Sequence, residues 1–183
     1  MGLDANVLLG VCGGAAAYKA VELASSLTAQ GATVRAVLTA SATKLVTARS
    51  FETVTGQPAY TDMWATQRDL IHIKLADWAQ VVVVAPATAN CLAKLATGIC
   101  DDLLCTLLCV CWQRPVLLAP AMNTRMWSNP VVQRNVKAVQ EMGFRLIGPE
   151  YGRLACGEEG LGRMAEPAKI AEAVAELLGQ RGR

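Results

Sequence analysis

Long apolar runs are missing from this sequence. No stretch reaches the roughly 18 uninterrupted apolar residues that a membrane-crossing helix needs. Val81 to Ala85 is far too short, and the run from Ile99 to Trp112 is broken by Asp101 and Asp102. No membrane span is expected. Basic residues do not cluster either. The formal net charge is only +2, so nothing points to nucleic acid or to an anionic membrane as a partner. The first apolar run has no basic segment ahead of it, unlike a secretory signal, and the expected location is cytoplasmic. Histidine occurs once, at His72. The group Cys105, Cys109 and Cys111 has no second cysteine pair and no histidine nearby, so no metal is expected. Internal repeats and disordered linkers are also lacking.

What is present is an apolar, single-domain composition. Residues 1–183 suffice for one domain with a real core and are too few for two. Hydrophobic residues make up 53% and the mean hydropathy is +0.32, so a generous interior or surfaces covered by further copies are implied. A homo-oligomer is expected. Seven cysteines, an odd number, argue against a disulfide framework. Six are expected as small core residues, since free cysteine is among the most buried types. Cys156 lies among glycines and is expected to be exposed.

Short apolar runs alternate with longer amphipathic stretches, as in βαβ units, which predicts an α/β fold with a mainly parallel sheet. Asn6 to Val11 reads as the first strand. Gly13-Gly14 turns the chain into a helix over about Ala15 to Gln30, ended by Gly31. Thr33 to Thr39 is a second strand, with a helix from about Thr43. Val81 to Ala85, unbroken and mostly β-branched, suits a central strand buried on both faces, stopped by Pro86 before a helix at Thr88 or Ala89. Asp101 opens another helix through Cys109. Val116 to Ala119 is the next strand. Ser128-Asn129-Pro130 opens a helix to Met142, Phe144 to Ile147 is a strand, Tyr151 to Gly162 is a loop or hairpin, and Pro167 to Leu178 is the closing helix. Ligands of such sheets bind beyond the carboxyl ends of the strands. That rule selects Cys12 to Ala15, Thr39 to Thr43, Pro86 to Asn90 and Pro120 to Trp127.

Each of these segments carries a functional and a plain structural reading. Gly13 and Gly14 before a helix offer free amides and a favourable dipole to a phosphate, or form a tight turn. Their spacing is not that of a dinucleotide fingerprint, and no acidic residue ends the second strand. Thr39, Ser41 and Thr43 add hydroxyls to an anion site, or cap a helix. Together they favour a mononucleotide phosphate, for which FMN is a natural candidate. Ala85 to Asn90 could seat a flat ring against small residues, or simply end a strand with Thr88 as a cap. His72, which follows Asp69, could move protons near neutral pH or be structural. Cys156, in a glycine-rich segment mobile enough to close over a site, could act as acid or nucleophile, or be incidental.

Four segments in order, His72-Ile73, Ala85 to Asn90, Pro120-Ala-Met-Asn-Thr-Arg-Met-Trp127 and Ala155-Cys156-Gly157, resemble the homo-oligomeric flavin-containing cysteine decarboxylases. The resemblance runs from Asn6 to about Leu178, and the Pro120 segment matches the family pattern P-x-M-N-x-x-M-W at every fixed position. It implies a flavodoxin-like or Rossmann-like three-layer sandwich and FMN as cofactor. The phosphate would lie near Gly13, Gly14, Ala15 and Ser41, and the ring near Thr88, Ala89, Asn90, Cys91 and Ala121. Met122, Asn123, Ala155 and Gly157 would meet the substrate beneath a clamp over about residues 151–164. His72 would assist oxidation of the substrate thiol, Asn123 would hold the departing carboxylate, and Cys156 would return a proton. The clamp sequence resembles the coenzyme A branch of the family, which implies 4'-phosphopantothenoylcysteine as substrate. It further implies a trimer as the assembly unit, possible assembly of trimers into a dodecamer, and a fused or separate synthetase that supplies the substrate. Rival readings are decarboxylation of a peptide's C-terminal cysteine and a flavin-binding regulatory subunit without turnover. The regulatory subunits carry long acidic tails, which this chain lacks. A flavin prenyltransferase on the same fold is disfavoured by the Met-Asn-x-x-Met-Trp segment.

Overall fold

The chain was analysed as a computed structural model, which describes residues 2–64 and 70–179. Its elements in order are β1 (Asn6–Val11), α1 (Ala17–Ala29), β2 (Thr33–Leu38), α2 (Ala48–Thr55), β3 (Ala59–Tyr60), α3 (Ile71–Trp78), β4 (Val81–Ala87) and α4 (Ala89–Thr97). There follow α5 (Leu103–Val110), β5 (Val116–Pro120), α6 (Thr124–Trp127), α7 (Pro130–Glu141), β6 (Arg145–Leu146), β7 (Glu150–Arg153), β8 (Glu159–Arg163) and α8 (Pro167–Gly179). The unbroken apolar run becomes β4, every residue of which is buried. It lies between β1 and β5 in a six-stranded sheet of order β3-β2-β1-β4-β5-β6, parallel throughout.

Side chains alternate across this sheet as the strand period requires. Val7, Leu9, Val11, Val81 and Val83 face a layer made by α1, α2 and α8. Leu8, Val82, Val84 and Leu118 face α3, α4, α5 and α7. The result is the expected three-layer sandwich. The six strands follow the Rossmann order; without the two-residue edge β3, the other five follow the flavodoxin order. In both descriptions the connections change sides between β1 and β4, which opens a crevice at the carboxyl ends of those strands.

Several local expectations need correction. Pro86 does not stop the central strand, which continues to Ala87. The pairing with β5 shifts register between Val84 and Ala87, so the proline sits where no ladder N–H is required. The helix expected from Thr43 begins instead at Ala48, where the Thr47 hydroxyl accepts from Ser50 N–H; residues Ala42–Lys44 form only a 3-10 turn. The glycine-rich segment, by contrast, takes the hairpin form, one of its two readings, with β7 and β8 pairing antiparallel. Asn129, followed by Pro130, does cap α7, accepting from Val131 N–H at 2.9 Å. Cys12, Cys91, Cys105 and Cys111 are buried, but Cys100 and Cys109 are exposed. They lie toward the outer side of α5, near exposed Ile99 and Val110, because only the opposite side of that helix meets the sheet.

Candidate functional site

A pocket of about 950 Å³ opens at the carboxyl ends of β1, β4 and β5 and runs under the β7–β8 hairpin, within the size range of small-molecule and cofactor sites. Gly13, Gly14, Ala15, Ser41, Thr88, Ala89, Asn90, Cys91, Ala121, Met122, Asn123, Ala155 and Cys156 all line it. His72 and Gly157 do not.

At one end the backbone makes the site. A Cβ on Gly13 would lie 2.7 Å from the Ser41 carbonyl carbon, too close for any side chain, so glycine is what lets the two loops meet. The Ser41 side chain is exposed and forms no hydrogen bond among the described residues, whereas the Thr39 hydroxyl accepts from Ala42 N–H at 3.2 Å and the Thr43 hydroxyl donates to Ala40. Of the three hydroxyls, Ser41 is thus the one free for a ligand. With the amides that open α1, it forms a cradle suited to a phosphate.

The middle of the pocket is flat and lined by small residues. Thr88 caps α4, its hydroxyl accepting from Cys91 N–H at 3.4 Å, and Asn90 is exposed, its side chain without a hydrogen bond among the described residues. Below lie three buried thiols. The hydrogen bond with Cys91, outweighing burial, holds Cys12 below the usual thiol range. Cys91, bonded first to Cys105 and also to Cys12, is pushed well above it. Lys94 reaches Asp101 at 2.6 Å and Asp102 at 2.9 Å with 17% of its side chain exposed. Burial opposes its charge, but the two carboxylates prevail and raise its pKa. Asp102 also caps α5, accepting from Cys105 N–H at 2.8 Å. Burial works against its charge too, yet this bond and Lys94 hold it below the usual carboxylate range. Lys94 and Asp102 line the pocket and were not anticipated as site residues. Their signal was present: two acidic residues interrupting an apolar run need a buried cation.

At the other end side chains dominate. The turn after β5 holds Asn123, whose Oδ1 accepts from Arg125 N–H at 2.8 Å and so caps the short α6. Its Nδ2 donates to Cys156 Sγ at 3.3 Å. Met122 N–H donates to the Gly162 carbonyl at 3.0 Å, and a Cβ on Gly162 or Gly160 would collide with Met122 or Thr124. Those glycines therefore serve close docking of the hairpin. Arg163 is tied to Glu150 at 3.1 Å and Glu166 at 3.3 Å, and Lys19 to Glu166 at 2.9 Å. The Lys169 ammonium first, then Arg163, hold the Glu150 carboxyl below its usual range despite some burial.

His72 stands apart, on the first turn of α3, with its Nδ1 buried and without a hydrogen-bond partner among the described residues. Asp69 lies outside the described residues. Among the described residues, no group of three His, Cys, Asp or Glu is placed to hold a metal ion, and no helix is long and apolar enough to cross a membrane.

A parallel sheet with a phosphate cradle and a small-residue platform at its switch point defines a nucleotide-cofactor protein of the mononucleotide type. The chain belongs to the Flavoprotein family, whose pattern matches residues 3–179. It is 45% identical over 167 residues to the coenzyme A biosynthesis bifunctional protein CoaBC of Bacillus subtilis, covering 90% of this chain and 41% of that protein. It is 42% identical over 176 residues to the CoaBC of Mycobacterium bovis, covering 96% and 42%. It thus spans less than half the length of these curated relatives. Among solved structures, a cysteine-to-serine mutant of PPC decarboxylase complexed with pantothenoylaminoethenethiol superposes with a TM-score of 0.82 at 37% identity, over 93% of this chain and 96% of that one. The FMN-dependent cysteine decarboxylase SpaF gives 0.82 at 35% identity, over 98% of both chains.

Proposed function

We propose that this chain decarboxylates 4'-phosphopantothenoylcysteine to 4'-phosphopantetheine in coenzyme A synthesis, with FMN as cofactor, and that residues 1–183 form one decarboxylase unit. The observation that carries this reading is the contact between Asn123 and Cys156. An amide from a strand end and a thiol from a hairpin 33 residues later meet at 3.3 Å in one pocket, at the end opposite the phosphate cradle.

FMN, when bound, supplies a two-electron oxidation and its reversal; its phosphate would rest at Gly13, Gly14, Ala15 and Ser41 and its ring on Thr88, Ala89, Asn90, Cys91 and Ala121. The rest is done by the protein. With the substrate sulfur oxidised to a thioaldehyde, the carbon β to the carboxylate becomes an electron sink. Asn123 Nδ2 orients the carboxylate without a full positive charge, so the ground state is not held more tightly than the transition state. Carbon dioxide leaves and an enethiolate remains. Met122 and Ala155 bound the substrate, Gly157 keeps only the turn that presents Cys156, and the Cys156 thiol protonates the carbon that has lost carbon dioxide.

His72 does not line the pocket of its own chain, so its assistance in thiol oxidation requires a neighbouring copy. Exposed Leu70, Ile99, Val110 and Trp112 lie on α3, on α5 and beside them, a surface suited to burial in such an assembly. We take the trimer as its unit, with a dodecamer as the larger form. The protein would act in the cytoplasm, its substrate made by a fused or separate synthetase.

The test is direct. Purified protein should carry the visible absorption of a flavin, and incubation with phosphopantothenoylcysteine should give a product lighter by one carbon dioxide. A cysteine-ending peptide serves as the second substrate. Turnover of the peptide alone would assign the chain to the peptide branch, and flavin without turnover of either would leave a regulatory protein.

A further inference from the structure

Four residues around Cys156 close a ring. Asn123 Nδ2 donates to Cys156 Sγ at 3.3 Å, and the Cys156 thiol donates to Glu158 Oε2 at 3.8 Å. Arg125 Nη2 pairs with the other oxygen of that carboxylate, Oε1, at 3.6 Å. The backbone N–H of Arg125 returns to Asn123 Oδ1 at 2.8 Å. Two members come from the turn after β5 and two from the tip of the hairpin. The ring therefore joins the residue that meets the substrate carboxylate to the residue that gives the proton.

Stability does not account for Glu158. Its side chain and that of Arg125 are 55% and 86% exposed, and ion pairs in that setting contribute little. What Glu158 has is position, with a carboxylate oxygen against the one thiol at the substrate end of the pocket. A thiol that has given up its proton must regain one before the next turnover. Transfer from a carboxylic acid to a thiolate runs downhill for these functional groups.

We propose that Glu158 is the positioning residue that orients the Cys156 S–H and restores its proton in every turnover, a role that rests on the reading of Cys156 as proton donor. In the donating step the S–H bond breaks and a C–H bond forms at the decarboxylated carbon, leaving a thiolate that Asn123 Nδ2 stabilises. Glu158 takes a proton from water and passes it on: its O–H bond breaks, the S–H bond forms, and the carboxylate returns to Arg125. One solvent proton is consumed per product.

The test uses the FMN-loaded protein with phosphopantothenoylcysteine, following carbon dioxide release and the ratio of fully reduced product to oxidised enethiol by mass. In Glu158→Gln, carbon dioxide release should stay within about threefold while reduced product falls about tenfold, less than loss of a general acid itself would cause. The deficit should grow as pH rises, Glu158→Asp should restore the ratio, and added acetate should rescue Glu158→Ala. A wild-type product ratio in Glu158→Gln, or an equal loss of both readouts, would overturn the proposal. Carbon dioxide release absent from the unmutated protein would overturn the decarboxylase reading, and this role with it.

Discussion

At the end of the pocket proposed for the cofactor the groups are backbone amides and small side chains, set beyond the ends of buried β1 and β4, with Lys94 held nearby between two carboxylates. At the end proposed for the substrate they are side chains, half-buried Asn123 and exposed Arg125, Cys156 and Glu158, joined by single hydrogen bonds and one loose ion pair. The first end is built from the loops that leave the buried strand ends, and the second from side chains whose links are individually weak. On the proposed reading, a cofactor kept through many turnovers and a substrate exchanged in each one call for these two constructions.

The comparison can be broken most sharply at Asn123. Asn123→Asp sets a second carboxylate against that of the substrate. Carbon dioxide release should fall by about a hundredfold or more, the scale seen when a single aimed donor is removed, with flavin content unchanged by absorbance. Next is Gly13→Ala, whose Cβ meets the Ser41 backbone. Overpacking of this kind costs about 1–3 kcal/mol, and purified protein should lose most of its flavin. A flavin-replete Gly13→Ala protein would show that the cradle lies elsewhere.

Asp102→Ala tests the brace. Loss of a helix cap costs about 1–2 kcal/mol, read as a lower melting temperature with Asn123 chemistry intact. The pH dependence follows from the depressed pKa of Asp102. Its contribution is fully present above the unfolded carboxylate value, about 3.9, and is lost as pH falls through the lower folded value. Wild type and Asp102→Ala should therefore converge in stability on strong acidification. The smallest effect belongs to Arg125→Ala, which should leave the melting temperature nearly unchanged while shifting the product ratio in the direction of Glu158→Gln.

The cofactor end was the more legible in sequence. Glycine pairs after apolar runs have few uses, and the rule that ligands gather at strand ends located Gly13, Ser41, Thr88 and Ala121 together. At the other end the strand-end rule marked Pro120 to Trp127 and the glycine-rich setting marked Cys156, but the meeting of Asn123 with Cys156 across the hairpin is fixed by no local pattern. Pro86 misled, since a register shift lets a proline continue a central strand. Cys109 misled for another reason, lying on the side of a helix that faces away from the sheet, and Cys100 because it lies in the connection before that helix. The isolation of His72 from its own pocket could not be read at all, as it depends on where α3 begins relative to the sheet edge.

The glycines of β8 carry a last consequence, for engineering. Gly160 and Gly162 occupy alternate positions on the face that lies against Met122 and Thr124, while Leu161 between them points outward. The inner face of this strand has no side chains to vary. On the proposed reading, a library aimed at changing the accepted substrate should leave both glycines fixed and randomise Arg153, Leu154 and Ala155, the pocket-lining positions that lead into the hairpin tip.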